Sequence, residues 1–169
     1  MKIKIIMIFL FLSSACTFAF ARTINISPTN ASVFFQVQHD LGYTIGYFKD
    51  FSGTVELSDD NAQLLSAEAL VQVATIDTRN SVRDEGLKSG LFLDVEKFPR
   101  ATYKNGSLTL KGITKPVILK LEQDAPSGRI VIKGNFNRND YGITYNKLLP
   151  QKKKSIGEAI EIIVEIEDK

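Results

Sequence analysis

Residues 81–103 read SVRDEGLKSGLFLDVEKFPRATY and form the one long stretch of the chain without a strand pattern. The stretch begins with residues typical of a short helical turn, passes through an apolar cluster and stops at Phe98-Pro99 before a strand resumes. On both sides the chain predicts β-strands. An all-β chain that devotes about twenty residues to such an insertion usually covers a barrel end or a sheet face with it. We therefore expect residues 81–99 to cover an open barrel end or a sheet face.

The flanking segments show the period of two that is typical of strands. Residues 33–39 (VFFQVQH) and residues 160–166 (IEIIVEI) alternate most clearly. Successive side chains of a strand point to opposite faces, so each segment presents one apolar face. Asn105-Gly106 predicts a tight hairpin turn. Residues 67–78 read as one long strand, and Thr114-Lys115-Pro116 reads as a connection.

About eight strands can be counted, and no helix between them is long enough for a parallel crossover. This predicts antiparallel pairing in a sandwich or in an up-and-down barrel. Gly42, Gly46 and Gly53 recur within the first strands. Glycines at such positions allow the sharp bends that a barrel needs, and they favour the barrel.

The first 21 residues have the pattern of an export signal. Lys2 and Lys4 precede a short apolar run, and Ala19-Phe20-Ala21 matches a cleavage site. We predict a signal peptide over residues 1–21 and a single domain over residues 22–169. Cys16 would be discarded with the leader, and its lipidation is a minor alternative because Ser13 stands where a lipoprotein signal has a leucine-like residue.

Composition removes several classes of function. Loss of Lys2 and Lys4 would leave equal numbers of basic and acidic residues, so no attraction to nucleic acid is expected. Without Cys16 the chain has no thiol for a disulfide, a nucleophile or a metal. His39 is the only histidine, and no phosphate-binding loop or Gly-x-Ser-x-Gly motif is present. We predict no catalytic residues, no metal and no cofactor.

Seven short motifs follow one another along the chain: FxVxH at 35–39, GxFxxFxG at 46–53, IDT at 76–78, RDxxLKS at 83–89, FxDVEKFP at 92–99, LTLKGITKPV at 108–117 and RxDYG at 138–142. In their order and spacing they resemble the YceI-like family of bacterial polyisoprenoid-binding proteins. The chain departs from that pattern at Gly86, Leu91, Leu93 and Lys111, where the family often has His, Asp, Phe and His.

The resemblance implies an extended, lipocalin-like antiparallel barrel whose interior holds a long isoprenoid or similar amphiphilic chain, and members that are typically exported to the periplasm. Combined with the strand pattern, it predicts an all-β, eight-stranded antiparallel lipocalin-like barrel with a short helical insertion. We expect a periplasmic carrier of a polyisoprenoid or other long-chain lipid that contacts membranes transiently. The insertion at residues 81–99 would then cap or border the mouth of the pocket. The oligomeric state is left open, a homodimer included.

The residues expected at the barrel interior and mouth are Phe35, Val37, His39, Phe48, Phe51, Arg83, Phe92, Phe136, Ile160, Ile162 and Val164. The apolar members of this set would equally suit a filled core. His39 reads either as a hydrogen-bonded rim residue or as a contact to a ligand headgroup. Arg83 reads either as a headgroup clamp or, with Asp84, as an ion pair at a helix start.

Two functions of other classes remain open at this stage. One is an envelope stress or interaction protein with a filled core. The other is a hydrolase that acts on a small hydrophobic substrate through carboxylates or His39, although nothing in the sequence brings two carboxylates together.

Overall fold

The computed structural model describes residues 21–59, 61–122, 129–144 and 156–167. Within these ranges the chain forms twelve strands and one α-helix. The elements are β1 Ala21–Ile26, β2 Ala31–His39, β3 Gly42–Phe48, β4 Phe51–Ser58, β5 Leu64–Gln72, β6 Ile76–Asp77, α1 Ser81–Lys88, β7 Arg100–Lys104, β8 Ser107–Leu110, β9 Ile113–Pro116, β10 Leu119–Glu122, β11 Arg129–Asn137 and β12 Ile156–Glu167. Short 3-10 turns lie at Val73–Thr75 and Arg138–Tyr141. Residues 1–20 of the predicted leader lie outside the described residues.

The strands form two six-stranded antiparallel sheets. The first has the order β1-β4-β5-β7-β8-β9 and the second the order β10-β11-β12-β2-β3-β6. The all-β class, the antiparallel pairing and the short helix are confirmed. The eight-stranded barrel is corrected: the strands number twelve, and no strand pair within the described ranges joins the two sheets into a closed ring.

Two local features account for the larger number of strands. Residues 67–78 do not form one strand, because the turn at Val73–Thr75 carries the chain from the first sheet into the second, where β6 pairs with β3. Thr114-Lys115-Pro116, predicted as a connection, belongs to the edge strand β9, which pairs with β8. An edge strand accepts Pro116 because the missing N–H can face solvent.

Apolar side chains from both sheets meet between them. One cluster joins Val55 and Leu57 of β4 to Ile132 and Ile166 of the second sheet. A second cluster gathers around Val73, where the chain changes sheets, and includes Leu110 and Tyr141. Burial of these faces supplies the driving force that brings the sheets together.

The turn between β7 and β8 follows the sequence prediction. Asn105 and Gly106 have φ values of 51° and 73°, the left-handed conformation that a two-residue hairpin turn requires. No helix within the described ranges is long and apolar enough to cross a lipid bilayer.

Candidate functional site

The two sheets enclose a cavity of about 630 Å³. Its walls come from both sheets and from the insertion at residues 81–99, and most of the lining side chains are aliphatic or aromatic. Such a lining favours hydrocarbon, because removing apolar surface from water yields roughly 25 cal/mol per Å². The cavity is therefore the candidate functional site, and it argues against a filled core.

The structure brings together nearly all the residues that the sequence singled out. They converge because β11, β12, β2 and β3 are neighbours in one sheet, with Ile162 opposite Phe35 and Ile160 opposite Val37. From this set the cavity is lined by Phe35, Val37, His39, Phe48, Arg83, Phe92, Phe136, Ile160, Ile162 and Val164.

Phe51 is the exception. Its side chain is buried, with 4% exposed, but it is not among the residues that line the cavity. Phe51 opens β4 at the corner next to the turn from β3 and pairs with Val71. The cavity instead reaches β4 farther along, at Val55, which lies on the same side of the strand because the two positions differ by an even number.

Several lining residues were not anticipated. Val33 and Ile132 continue the alternating apolar faces of β2 and β11, so the strand period could have found them. Leu41 lies in the turn between β2 and β3, and Tyr103 lies on the half-buried strand β7. No periodic signal marks these two positions.

The mouth of the cavity is marked by the lining residues that remain exposed: Asp40, Leu41, Arg83 and Gly86. The first pair belongs to the β2–β3 turn and the second pair to helix α1. The opening therefore lies between this turn and the helix, so the insertion borders the mouth as the sequence predicts. Leu41 is 75% exposed, which places a large apolar side chain at the rim.

His39 lies at this rim, at the end of β2. Its Nδ1 accepts a hydrogen bond of 3.2 Å from the backbone N–H of Leu41. In the neutral ring the proton then resides on Nε2, which is a donor. The rim interpretation of His39 fits this geometry, because the bond fixes both the ring and the β2–β3 turn.

Arg83 and Asp84 are held together through Thr78. The guanidinium of Arg83 donates to the Thr78 hydroxyl at 2.7 Å, to the Thr78 carbonyl at 2.9 Å and to the Thr44 hydroxyl at 3.4 Å. The Thr78 hydroxyl in turn donates to the buried Asp84 carboxylate at 2.6 Å. Asn80 caps the helix by accepting from the Arg83 backbone N–H at 3.0 Å. This network attaches α1 to β3 and keeps the helix beside the mouth.

Arg138 is a buried cation on the cavity wall, with 4% exposed. Its guanidinium donates to the backbone carbonyls of Ile143, Gly157 at 2.9 Å and Ile156 at 3.2 Å. Burial lowers the pKa of Arg138, and the charge of Glu158 opposes the shift. The side chain therefore ties the turn at Arg138–Tyr141 to the start of β12. The RxDYG motif was the sequence signal for this position.

Tyr141 and Tyr103 both pack in the cluster around Val73. The Tyr141 side chain is fully buried and meets the Phe136 ring edge to face at 5.0 Å. Burial, aided by the charge of Asp140, raises the pKa of Tyr141 to about 12. The Tyr103 hydroxyl donates to the Val117 carbonyl at 2.9 Å, and burial raises its pKa as well.

No group of three or more potential metal ligands occurs within the described ranges. Chemically, the arrangement offers a long apolar space with a few fixed donors near one opening. That combination suits an amphiphile whose chain is enclosed and whose polar end stays at the mouth.

Comparison with known proteins gives a consistent family. The family model described as the YceI-like domain matches residues 25–168. Protein YceI of Salmonella arizonae is 32% identical to this chain, and the match covers 82% of this chain and 81% of that protein. Protein YceI of Salmonella paratyphi B matches with the same values.

Solved structures share the fold at low identity. BcnA of Burkholderia cenocepacia aligns with a TM-score of 0.63 at 18% identity and covers 83% of this chain and 98% of that one. A polyisoprenoid-binding domain from Saccharophagus degradans, implicated in plant cell wall breakdown, aligns with a TM-score of 0.55 at 13% identity, over 86% and 98% of the two chains. The Campylobacter jejuni YCEI protein aligns with a TM-score of 0.54 at 22% identity, over 73% and 84%.

Proposed function

The chain belongs to the YceI-like domain family, and on that premise we propose that it holds a polyisoprenoid or similar long-chain amphiphilic lipid in its cavity. Binding is noncovalent and no reaction is catalysed. The observation that carries this proposal is the cavity of about 630 Å³, with its apolar walls and its mouth between α1 and the β2–β3 turn. The polyisoprenoid-binding domain that shares the fold gives the ligand class its support.

The energetics favour a carrier over a store. Enclosing one isoprene unit of five carbons yields roughly 3–4 kcal/mol relative to water, at about 0.8 kcal/mol per carbon. The same chain gains much the same free energy in a bilayer. The free energy of the lipid in the protein therefore differs little from its free energy in the membrane. This small difference lets the protein load at one membrane and unload at another.

Exchange with a membrane is part of the proposal. Leu41 is 75% exposed at the rim, and Tyr43, which follows it at the start of β3, is 61% exposed. Val82 of α1 is 83% exposed on the other side of the mouth. These apolar side chains can insert into the bilayer interface, so that the lipid passes between membrane and cavity with little contact with water. We place this exchange in the periplasm, after cleavage of a leader at residues 1–21.

The first test is native mass spectrometry of the purified protein, followed by organic extraction of any bound lipid. We expect near one long-chain isoprenoid or similar lipid per protomer. Protein that arrives empty is then incubated with vesicles containing a prenyl alcohol. Failure to take up the alcohol under these conditions would overturn the proposal.

A matched pair of variants links uptake to the cavity. Ile160→Asp places a carboxylate on the half-buried cavity wall, and we expect lipid occupancy to fall at least about tenfold because a charge in an apolar site is strongly disfavoured. Ile45→Asp makes the same change on the outer side of β3, where the side chain is 40% exposed, and should leave occupancy unchanged. Equal loss in both variants would mean that the cavity is not the binding site.

A further inference from the structure

The cavity has one open end and one closed end within the described ranges. Its exposed lining residues lie at the mouth, on the β2–β3 turn and on α1, apart from Glu68 of β5, whose side chain is 46% exposed and forms an ion pair with Lys104 at 3.1 Å. The opposite end is formed by Ile26, Val55 and Ile132, with 4%, 2% and 1% exposed. We call these three residues the floor. Leu57 and Ile166, both fully buried in the same cluster, pack with the floor and close it from outside.

The register of the second sheet gives the depth of this cavity. His39 lies at the mouth, and Val33 is the deepest lining residue of β2, opposite Val164 of β12. A strand rises about 3.3 Å per residue, so the lining spans roughly 20 Å from rim to floor. The cavity is therefore deep and narrow.

The volume gives a second, independent measure of what fits. A water molecule takes about 30 Å³ in the liquid, and a methylene group takes about the same, so the cavity of about 630 Å³ has room for roughly twenty such groups. At about 1.25 Å per carbon of an extended chain, the depth corresponds to roughly sixteen carbons and the volume to roughly twenty, so the two measures together describe the space of a single hydrocarbon chain of about sixteen to twenty carbons.

We propose that this cavity measures the chain length of its ligand, and that the floor residues Ile26, Val55 and Ile132 set the upper limit at about sixteen to twenty carbons. The inference rests on the proposed lipid-binding function and adds the size class that the site selects. A chain up to the limit is fully enclosed. A longer chain reaches the floor and leaves its excess carbons outside the mouth.

The consequence is a sharp dependence of loading on chain length. Below the limit, each added carbon gains about as much free energy of transfer from water in the cavity as in a bilayer, so loading from vesicles changes little with chain length. Above the limit, each added carbon is left in water when the protein leaves the membrane. Loading should then fall about fourfold for each such carbon.

Substitutions at one floor position should move the limit in opposite directions. Val55→Phe adds about four heavy atoms at the floor and should shorten the limit by about four carbons. Val55→Ala removes two carbons and should lengthen the limit by about two. Val131→Phe is the matched control, because Val131 lies between inward-facing Ile130 and Ile132 and so points to the outer face of β11.

The experiment loads the protein from vesicles that contain a mixture of saturated primary alcohols from about twelve to about thirty carbons long. The protein is separated from the vesicles, and the bound alcohols are extracted and quantified against the vesicle composition. Because all variants draw on the same vesicles, partition into the membrane cancels when their length profiles are compared. Circular dichroism shows which variants are folded.

We expect a flat profile to about sixteen to twenty carbons and a steep fall beyond, with shifts in the two Val55 variants and none in the control. Binding with no fall at any length, or a fall that folded Val55 variants do not move, would overturn the length limit and leave the lipid-binding function standing. Absence of binding at every length would overturn the function itself. If Val55→Phe does not fold, the profiles of the parent and Val55→Ala decide the matter.

Discussion

Gly46 lies directly beneath the ring of Phe35, and adding one methyl group there should disturb both stability and binding. The two residues face each other across β2 and β3. A Cβ at position 46 would lie 2.3 Å from Cε1 and 2.5 Å from Cζ of Phe35, and 3.0 Å from Cγ2 of Thr78. Carbon atoms pack at about 3.5–4.0 Å, so in Gly46→Ala the ring must retreat by about 1 Å.

The retreat has a direction and a magnitude. The strand pair lies behind the ring, so Phe35 moves into the cavity that it lines, and its contact with Phe48, whose ring centroid lies 6.1 Å away, must change. Overpacking of this kind costs about 1–3 kcal/mol. In a chain of this size that lowers Tm by roughly 4–8 °C for a loss of 2 kcal/mol. The displaced ring takes the space of about one methylene group, which should weaken lipid binding about fourfold.

Urea unfolding and lipid loading measure the two effects. Gly90→Ala is the matched control, since its Cβ would meet only Asp94, at an ordinary 3.9 Å. Phe35→Leu shortens the side chain that the new methyl group meets. In the double variant with Gly46→Ala the clash should be largely relieved, giving a coupling energy of about 1–2 kcal/mol in a double-mutant cycle.

Two results would refute this reasoning. One is a Gly46→Ala variant as stable as Gly90→Ala, which would mean that the ring does not pack over Gly46. The other is strict additivity of the changes at positions 46 and 35, which would place the destabilisation elsewhere.

Three further outcomes are expected. Burial raises the pKa of Tyr141 to about 12, above the value of about 10 in the unfolded chain. The neutral phenol therefore contributes fully to the free energy of unfolding below pH 10, and this contribution is lost as the pH rises from 10 to 12. Urea unfolding at pH 8 and pH 11 should show that Tyr141→Phe no longer loses this part of the unfolding free energy at the higher pH. A loss equal to that of the parent protein would contradict the prediction. Arg138→Met leaves three carbonyls without their donor and should cost at least about 3 kcal/mol in urea unfolding, whereas a neutral result would show that solvent satisfies them. Tyr43→Ser should slow transfer of lipid to vesicles and leave equilibrium occupancy unchanged, and unaltered transfer would remove the rim from the exchange step.

The strand pattern predicted most of the cavity wall. Alternation in residues 33–39 and 160–166 placed Phe35, Val37 and Ile162 on one face, because the period of a strand is a local property of the backbone. Phe51 satisfied the same pattern and is buried, yet it does not line the cavity. Periodicity identifies the inner face of a sheet, but where on that face the space remains open depends on what packs from the opposite sheet.

The turn at Val73–Thr75 illustrates a different limit. Residues 67–78 contain no glycine or proline and have apolar side chains on both faces of a strand, so nothing local requires a break after Gln72. The break occurs because the chain must leave one sheet and pair with β3 of the other. Tertiary pairing decides this, and in the part of the chain that the structure describes the result is two six-stranded sheets in place of the eight-stranded barrel that the sequence favoured.

By itself the amino-acid sequence determined the all-β class, the antiparallel pairing, the hairpin at Asn105-Gly106 and the insertion beside the mouth, since each depends on local periodicity, turn chemistry or a linear motif. Only the tertiary structure decided that the inner faces leave an open space, that its far end is closed at Val55, and that Arg138 binds backbone carbonyls. These features depend on which side chains meet across the two sheets. A cavity is the volume that packing leaves unfilled, so its size and its floor follow from contacts between residues far apart in the chain.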